Sequence, residues 1–168
     1  EVLYVDSQAP AGLSTGSFTA PFREIDEALA AAESTGATAA ILHLPLSLGP
    51  AGSDAVDSAL AMADAGLAVS VNVGTPIPPA DAPDPFSVRD LVGRLEGRTS
   101  VLGVTAYLEN LAAPWSLRAL GDGVLRYPRP ADDPIAWITA LDVTRAGVAA
   151  AGRADPETYQ LARPEALT

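Results

Sequence analysis

Apolar residues follow two alternating rhythms along the chain. Short continuous runs, VLYV at 2–5, TAAILHL at 38–44, LAVSVNV at 67–73 and TSVLGVT at 99–105, have the length and β-branched content of strands buried on both faces. Between them the apolar residues recur at helical spacing. In 23–34, Ile25, Ala28, Leu29 and Ala32 mark one helix face, with Glu24 and Asp26 near its start and Gly36 after its end. In 54–65, Val56, Ala59, Leu60 and Ala63 repeat the pattern, with Ser53 as the expected N-cap and Gly66 as the stop. A third helix is expected at 88–95, with core positions Val88, Leu91, Val92 and Leu95 and a capping box formed by Ser87 and Asp90.

Strands about 30 residues apart, apolar on both faces and separated by helices, predict an α/β domain built on a parallel sheet covered on both sides. Past residue 105 the pattern loosens. Short strands are expected at 124–127, 135–139 and 158–161, and a helix at 142–151 capped by Asp142. The proline-rich stretch GTPIPPADAPDPF, 74–86, reads as a loop inside one domain. In a parallel sheet the ligand crevice lies beyond the carboxyl ends of the strands. His43, Gly74, Thr75 and Asn110 all fall at or just after such ends, so they are expected around one crevice.

Composition narrows the function. The 168 residues carry a formal charge of −11, with the acids scattered, which disfavours nucleic-acid and anionic-membrane partners. No apolar run approaches the roughly 20 residues that span a bilayer. The opening EVLYV is strand-like, no signal-peptide pattern precedes it, and a start at Glu1 suggests a processed or excerpted chain. The absence of Cys removes thiolate chemistry and disulfides and fits a cytoplasmic protein. All ten basic residues are Arg. His43 is the sole histidine, and without Cys or a carboxylate cluster beside it no metal site is expected. It reads either as a proton carrier facing a ligand or as a strand-end residue satisfied by backbone.

The segments AAILHLPLSLGP, VNVGTPIPP, YLENLAAPW, GDGVLRYPRPADDPIAWITALDV and TYQLARPEALT occur in this order over about three quarters of the chain. Together they resemble the NmrA-like atypical short-chain dehydrogenase/reductase family. The resemblance implies a Rossmann-like parallel sheet with helices on both faces, here incomplete at the N-terminus, and an NAD(P) cofactor. It makes 1–168 a single domain: an atypical start at 1–36, a βαβαβ core at 37–105, and a small irregular C-terminal region at 106–168 on the substrate side. It places His43, Pro45, Asn72, Gly74 and Thr75 at the cofactor and Tyr107, Asn110 and Trp115 in the substrate pocket. Residues 4–32 are separately similar to the N-terminal cap of parallel β-helix proteins.

Two features depart from the family. Gly12 and Gly16, in GLSTGSF, lack the G-x-x-G-x-x-G spacing of the turn that holds the cofactor pyrophosphate. A chain with no Lys also lacks the Tyr-Lys pair that moves a proton during hydride transfer. The expected function is a noncatalytic dinucleotide-responsive module whose 168 residues bind NAD(P) weakly or not at all. One alternative is an atypical NAD(P)H-dependent reductase of a small carbonyl compound, with His43 or Tyr107 as proton donor. The other is a structural or interaction remnant, with the open edge of TAAILHL inviting a protein partner or second copy. Asp132 and Asp133 read as a solvated turn; Arg126 and Arg129 read as solvated residues or as ligands for a phosphate or carboxylate.

Overall fold

The computed structural model describes residues 27, 30–31, 34–44, 50–124, 135–162 and 166–167. The expected strand at 2–5, most of the helix at 23–34, Gly12, Gly16, Pro45, residues 125–127 of the strand expected at 124–127, Arg126 and Arg129, and Asp132 and Asp133 lie outside the described residues. Four parallel strands form the main sheet: β1 (Ala39–His43), β2 (Ala68–Asn72), β3 (Ser100–Val104) and β6 (Thr158–Leu161), in the order β1-β2-β3-β6. A second, smaller sheet runs β4-β5-β7 from β4 (Ala106–Tyr107), β5 (Ile135–Ile138) and β7 (Ala166–Leu167). The fold is an α/β, Rossmann-like parallel sheet with helices packed on both faces.

Alternation along the strands divides the core into two layers. On one face, Val69, Val71, Val73 and Val101 pack against α1 (Pro50–Asp64) and α2 (Val88–Leu95) through Val56, Ala59, Met62, Leu91, Val92 and Leu95. On the other, Leu102 and Val104 meet Val143 and Ala150 of α4 (Ala140–Ala151) and Ile138 of β5. Each fully buried Val or Leu contributes roughly 1.5–3 kcal/mol against the entropy of folding. The central β2 and β3 are buried almost throughout, whereas β1, at the edge of the sheet among the described residues, alternates exposed and half-buried residues. Backbones come close where α4 crosses the sheet: a Cβ on Gly147 would stand 3.3 Å from Ile41 Cγ2 and 3.5 Å from Ser70 Oγ.

Three expected helix starts are corrected. The helix expected from residue 54 begins at Pro50, so Ser53 lies inside α1, where its hydroxyl accepts from Arg94 Nη1 at 3.0 Å. A Pro in the first turn is compatible with a helix because its missing N–H has no intrahelical partner there. Ser87 makes no side-chain cap and sits at φ 53°, in the left-handed region. The carboxylate of Asp84 takes the capping role instead, accepting from the N–H groups of Val88 at 2.8 Å and Arg89 at 2.9 Å. The helix expected at 142–151 starts two residues earlier, with Thr139 as N-cap. Asp142 N–H donates to Thr139 Oγ1 at 3.1 Å and the hydroxyl donates back to the Asp142 carboxylate at 2.8 Å, so the Thr side chain is the cap and the Asp its reciprocal partner.

Periodicity did not reveal β4, β7, the short 3-10 turn Leu108–Ala112 or α3 (Pro114–Gly121). β4, β7 and the 3-10 turn are too short to show a period. In α3 only the small Ser116 and Ala119 are buried, while Trp115, Leu117 and Leu120 are exposed, so no apolar stripe marks it. Among the described residues no helix is long and apolar enough to cross a membrane.

Candidate functional site

The parallel order brings the carboxyl ends of β1, β2 and β3 to one edge. His43 closes β1 and is the register partner of Asn72, the last residue of β2. Asn72, only 5% exposed, lies with Ser70 on the α4 side of the sheet because Val69, Val71 and Val73 face the other layer. β4 starts one residue after β3, which carries Tyr107 to the same edge, where it pairs with Ile138 of β5. His43, Asn72 and Tyr107 therefore meet from three separate segments.

Hydrogen bonds lock the centre of this group. Asn72 Oδ1 accepts from the Gly74 N–H at 2.8 Å, which determines the orientation of the amide. Its Nδ2 then donates to the Tyr107 hydroxyl at 2.5 Å. Gly74 has φ 69°, a left-handed conformation that glycine adopts without a steric penalty and that folds its N–H back onto Asn72. The next residue, Thr75, accepts from Val104 N–H at 3.0 Å, so the turn after β2 remains fastened to the end of β3. The turn after β2 thus completes the buried amide network.

The two titratable side chains at this edge both favour their neutral forms. Burial raises the Tyr107 pKa above its ordinary value; the Asn72 hydrogen bond opposes the shift and the charge of Glu109 adds to it. His43 is exposed as a residue, yet desolvation of its imidazole lowers its pKa. The ring stands edge-on to Tyr107, with centroids 6.1 Å apart and planes at 70°. A neutral Tyr107 whose oxygen accepts from Asn72 retains its own proton for donation to a further acceptor.

Asn110 lies in the 3-10 turn after β4, half-buried, and its carbonyl accepts from Ala113 N–H at 3.2 Å. Trp115 is the second residue of α3 and is 54% exposed. Gly74 and Asn110 both follow the carboxyl ends of the parallel strands.

Sequence reasoning missed four polar residues that organise this end of the sheet. Glu109 Oε1 accepts from Ala140 N–H at 2.9 Å, tying the segment after Tyr107 to the start of α4. Asp84 caps α2, and Arg89 Nη1 donates to the carbonyls of Pro79 at 2.6 Å and Ala82 at 2.9 Å, anchoring the proline-rich loop. Gln160 Oε1 accepts from Ile77 N–H at 3.0 Å across Gly103, where a Cβ would come within 2.7 Å of Ile77 Cγ1. An acidic residue shortly before the first helical position, Asp84 ahead of Val88, was a readable signal for the α2 cap. Glu109 and Gln160 act on residues distant in sequence and had no such signal.

An open groove of about 490 Å³ lies at the opposite end of the sheet, lined by Glu96, Gly97, Pro156, Glu157, Thr158 and Tyr159. Glu157 there accepts from the Tyr159 hydroxyl at 2.8 Å and pairs with Arg153 at 3.6 Å. It is remote from the Asn72–Tyr107 network. Comparison with protein-family models, curated proteins and solved structures finds no match.

Proposed function

We propose that this chain is an NmrA-like ligand-binding module that works without Tyr-Lys proton transfer. Its site is the strand-end edge bearing His43, Asn72 and Tyr107. The observation that carries the reading is the Asn72–Tyr107 hydrogen bond, in which the phenol is an acceptor and so keeps a proton to offer a ligand. A carbonyl or carboxamide oxygen is the natural acceptor for that proton, and the nicotinamide end of NAD(P) is the group that the family resemblance supplies. Pro45, Thr75 and Asn110 belong to this reading through the same resemblance, with Trp115 beside the ligand.

A reductase would need Tyr107 to give up its proton readily. Burial and Glu109 push its pKa the other way, and the chain has no Lys to lower it. Noncatalytic recognition therefore fits these side chains better. The test is calorimetric titration of the chain with nicotinamide, NADH and NADPH, repeated on Tyr107→Phe. Binding by any of the three that weakens at least tenfold in the variant supports the module. NADPH consumption with a small carbonyl compound would replace it with the reductase, and no binding by any of the three would reject the site.

A further inference from the structure

A surface helix ordinarily buries its large apolar side chains and turns its small and polar ones to solvent. In α3 this order is reversed. The buried residues are Ser116 and Ala119, whereas Leu117 is 55% exposed and Leu120 38% exposed. Val124, which follows the left-handed Gly123 after the helix end, is 45% exposed. The Ser116 hydroxyl is buried without a hydrogen-bond partner among the described residues. The chain thus covers the side of α3 that has little to bury and leaves its leucines to water. α4 also exposes Leu141 and Val148, but it buries Val143 and packs across three strands of the sheet.

We infer that the outer face of α3 docks on the same face of a second copy of the chain, with the two helices antiparallel about a two-fold axis. The pairing does not use Trp115, so it stands independently of the strand-end site.

Charge selects a second copy as the occupant. Arg118 and Asp122 are both exposed, and among the described residues neither makes an ion pair. Cation before anion is also the weaker order for pairing within one helix. At roughly 100° per residue, Arg118 and Asp122 lie on one side of the outer face and Leu117 and Leu120 on the other, with Gly121 between them. A two-fold axis beside Leu120, midway between Arg118 and Asp122, sets each Arg118 opposite the second copy's Asp122 and makes two identical pairs of opposite charge. The same axis lays Leu117 over the second copy's Val124.

Shape and area agree with this arrangement. A Cβ on Gly121 would meet nothing within 4 Å, so the middle of the face is open to the close approach of another helix. Leu117, Leu120 and Val124, with the exposed Pro114 and the stem of Arg118, form a patch of about a few hundred Å². Two such patches approach the roughly 1,000 Å² at which specific contacts begin. Two copies of formal charge −11 repel each other, but physiological salt screens that repulsion beyond about 8 Å and weakens contact pairs much less.

Sedimentation velocity of the full chain in physiological salt, from low micromolar to millimolar concentration, tests the inference. Wild type should pass reversibly from one chain to two. Gly121→Gln adds an uncharged side chain where the fold leaves open space, and it should raise the dimer dissociation constant roughly tenfold or more. Arg118→Asp and Asp122→Arg, each of which sets like charges face to face, should do the same. Combining Arg118→Asp with Asp122→Arg should return the constant to within about threefold of wild type, because the axis exchanges the partners. Amide spectra check that every variant is folded. A dimer unaffected by Gly121→Gln, or a double variant no better than the single ones, would overturn the antiparallel α3 contact. A chain that stays monomeric throughout would overturn the dimer and assign this face to a different occupant.

Discussion

Asn72 and Tyr107, 35 residues apart in the chain, share a hydrogen bond of 2.5 Å at the carboxyl edge of the sheet. The same Asn72 side chain accepts from Gly74 N–H, so one buried amide joins β2, the turn that follows it and β4. Replacing Tyr107 by Phe leaves the Asn72 Nδ2 without this partner. Because an unpaired buried polar group loses its hydration without compensation, Tyr107→Phe is expected to destabilise the fold by about 1–3 kcal/mol. Asn72→Ala should cost more, since Gly74 N–H then also loses its acceptor. A double-mutant cycle by denaturant titration checks the coupling; strictly additive losses would show that the two side chains act independently.

His43 offers a direct spectroscopic readout. Folding desolvates its imidazole and lowers its pKa below the ordinary 6.5. A proton therefore binds the unfolded chain more readily, and stability should decline as pH falls through 6.5 toward the folded value. In NMR titration the single histidine should titrate below 6.5, and Tyr107→Ala, which removes the neighbouring ring, should bring it back toward 6.5. A His43 titration that ignores this substitution would mean that Tyr107 does not shield it.

Asp84 behaves in the opposite sense to an ordinary buried acid. Burial alone would raise its pKa, but the N–H groups of Arg89 and Val88 and the Arg89 guanidinium outweigh that and lower it below 3.8. The carboxylate's contribution is thus complete well above 3.8 and is lost as pH falls through the folded value. Asp84→Ala should lower the melting temperature at neutral pH and expose the loop at 74–86 to proteolysis, because the α2 cap and the Arg89 anchor fail together. The difference in melting temperature from wild type should shrink at acid pH; a constant difference would show that the carboxylate charge is irrelevant.

Gly103 marks where the proline-rich loop and β6 approach β3. A methyl group there would press on Ile77 and on the Gln160 side chain that accepts from Ile77 N–H. Gly103→Ala is expected to cost about 1–3 kcal/mol through overpacking. Limited proteolysis should then cut within 74–86 faster than in wild type. An unchanged cutting rate would show that Gln160 and the Gly103 gap do not hold the loop.

Thr105 Oγ1 is buried without a hydrogen-bond partner among the described residues, between β3 and β4. Thr105→Val retains the branched shape and removes the uncompensated hydroxyl, so it should stabilise the fold by roughly 1 kcal/mol. Thermal unfolding checks this, and a lower melting temperature would reveal that the hydroxyl has a partner.

The sequence by itself was sufficient for the α/β class, the parallel strands and the inward faces of the central helices, although β1, expected to be buried on both faces, alternates exposed and half-buried residues. These depend on local periodicity: Val88, Leu91, Val92 and Leu95 can share a face only as a helix, and a run such as AVSVN suits only a strand covered on both sides. The strand-end position of His43 and Gly74 followed from the same reasoning. Tertiary structure decided which polar groups meet. Ser87 looked like the cap of α2, but its left-handed backbone turns it away and Asp84 reaches the free N–H groups instead. No local spacing could reveal that Glu109 reaches Ala140, that Gln160 reaches Ile77 or that Asn72 bridges Gly74 and Tyr107. Hydrophobic burial depends on each residue's own character and leaves a periodic trace in the chain. Hydrogen bonding depends on direction and on a partner within about 3 Å, which only the folded arrangement of separate segments supplies.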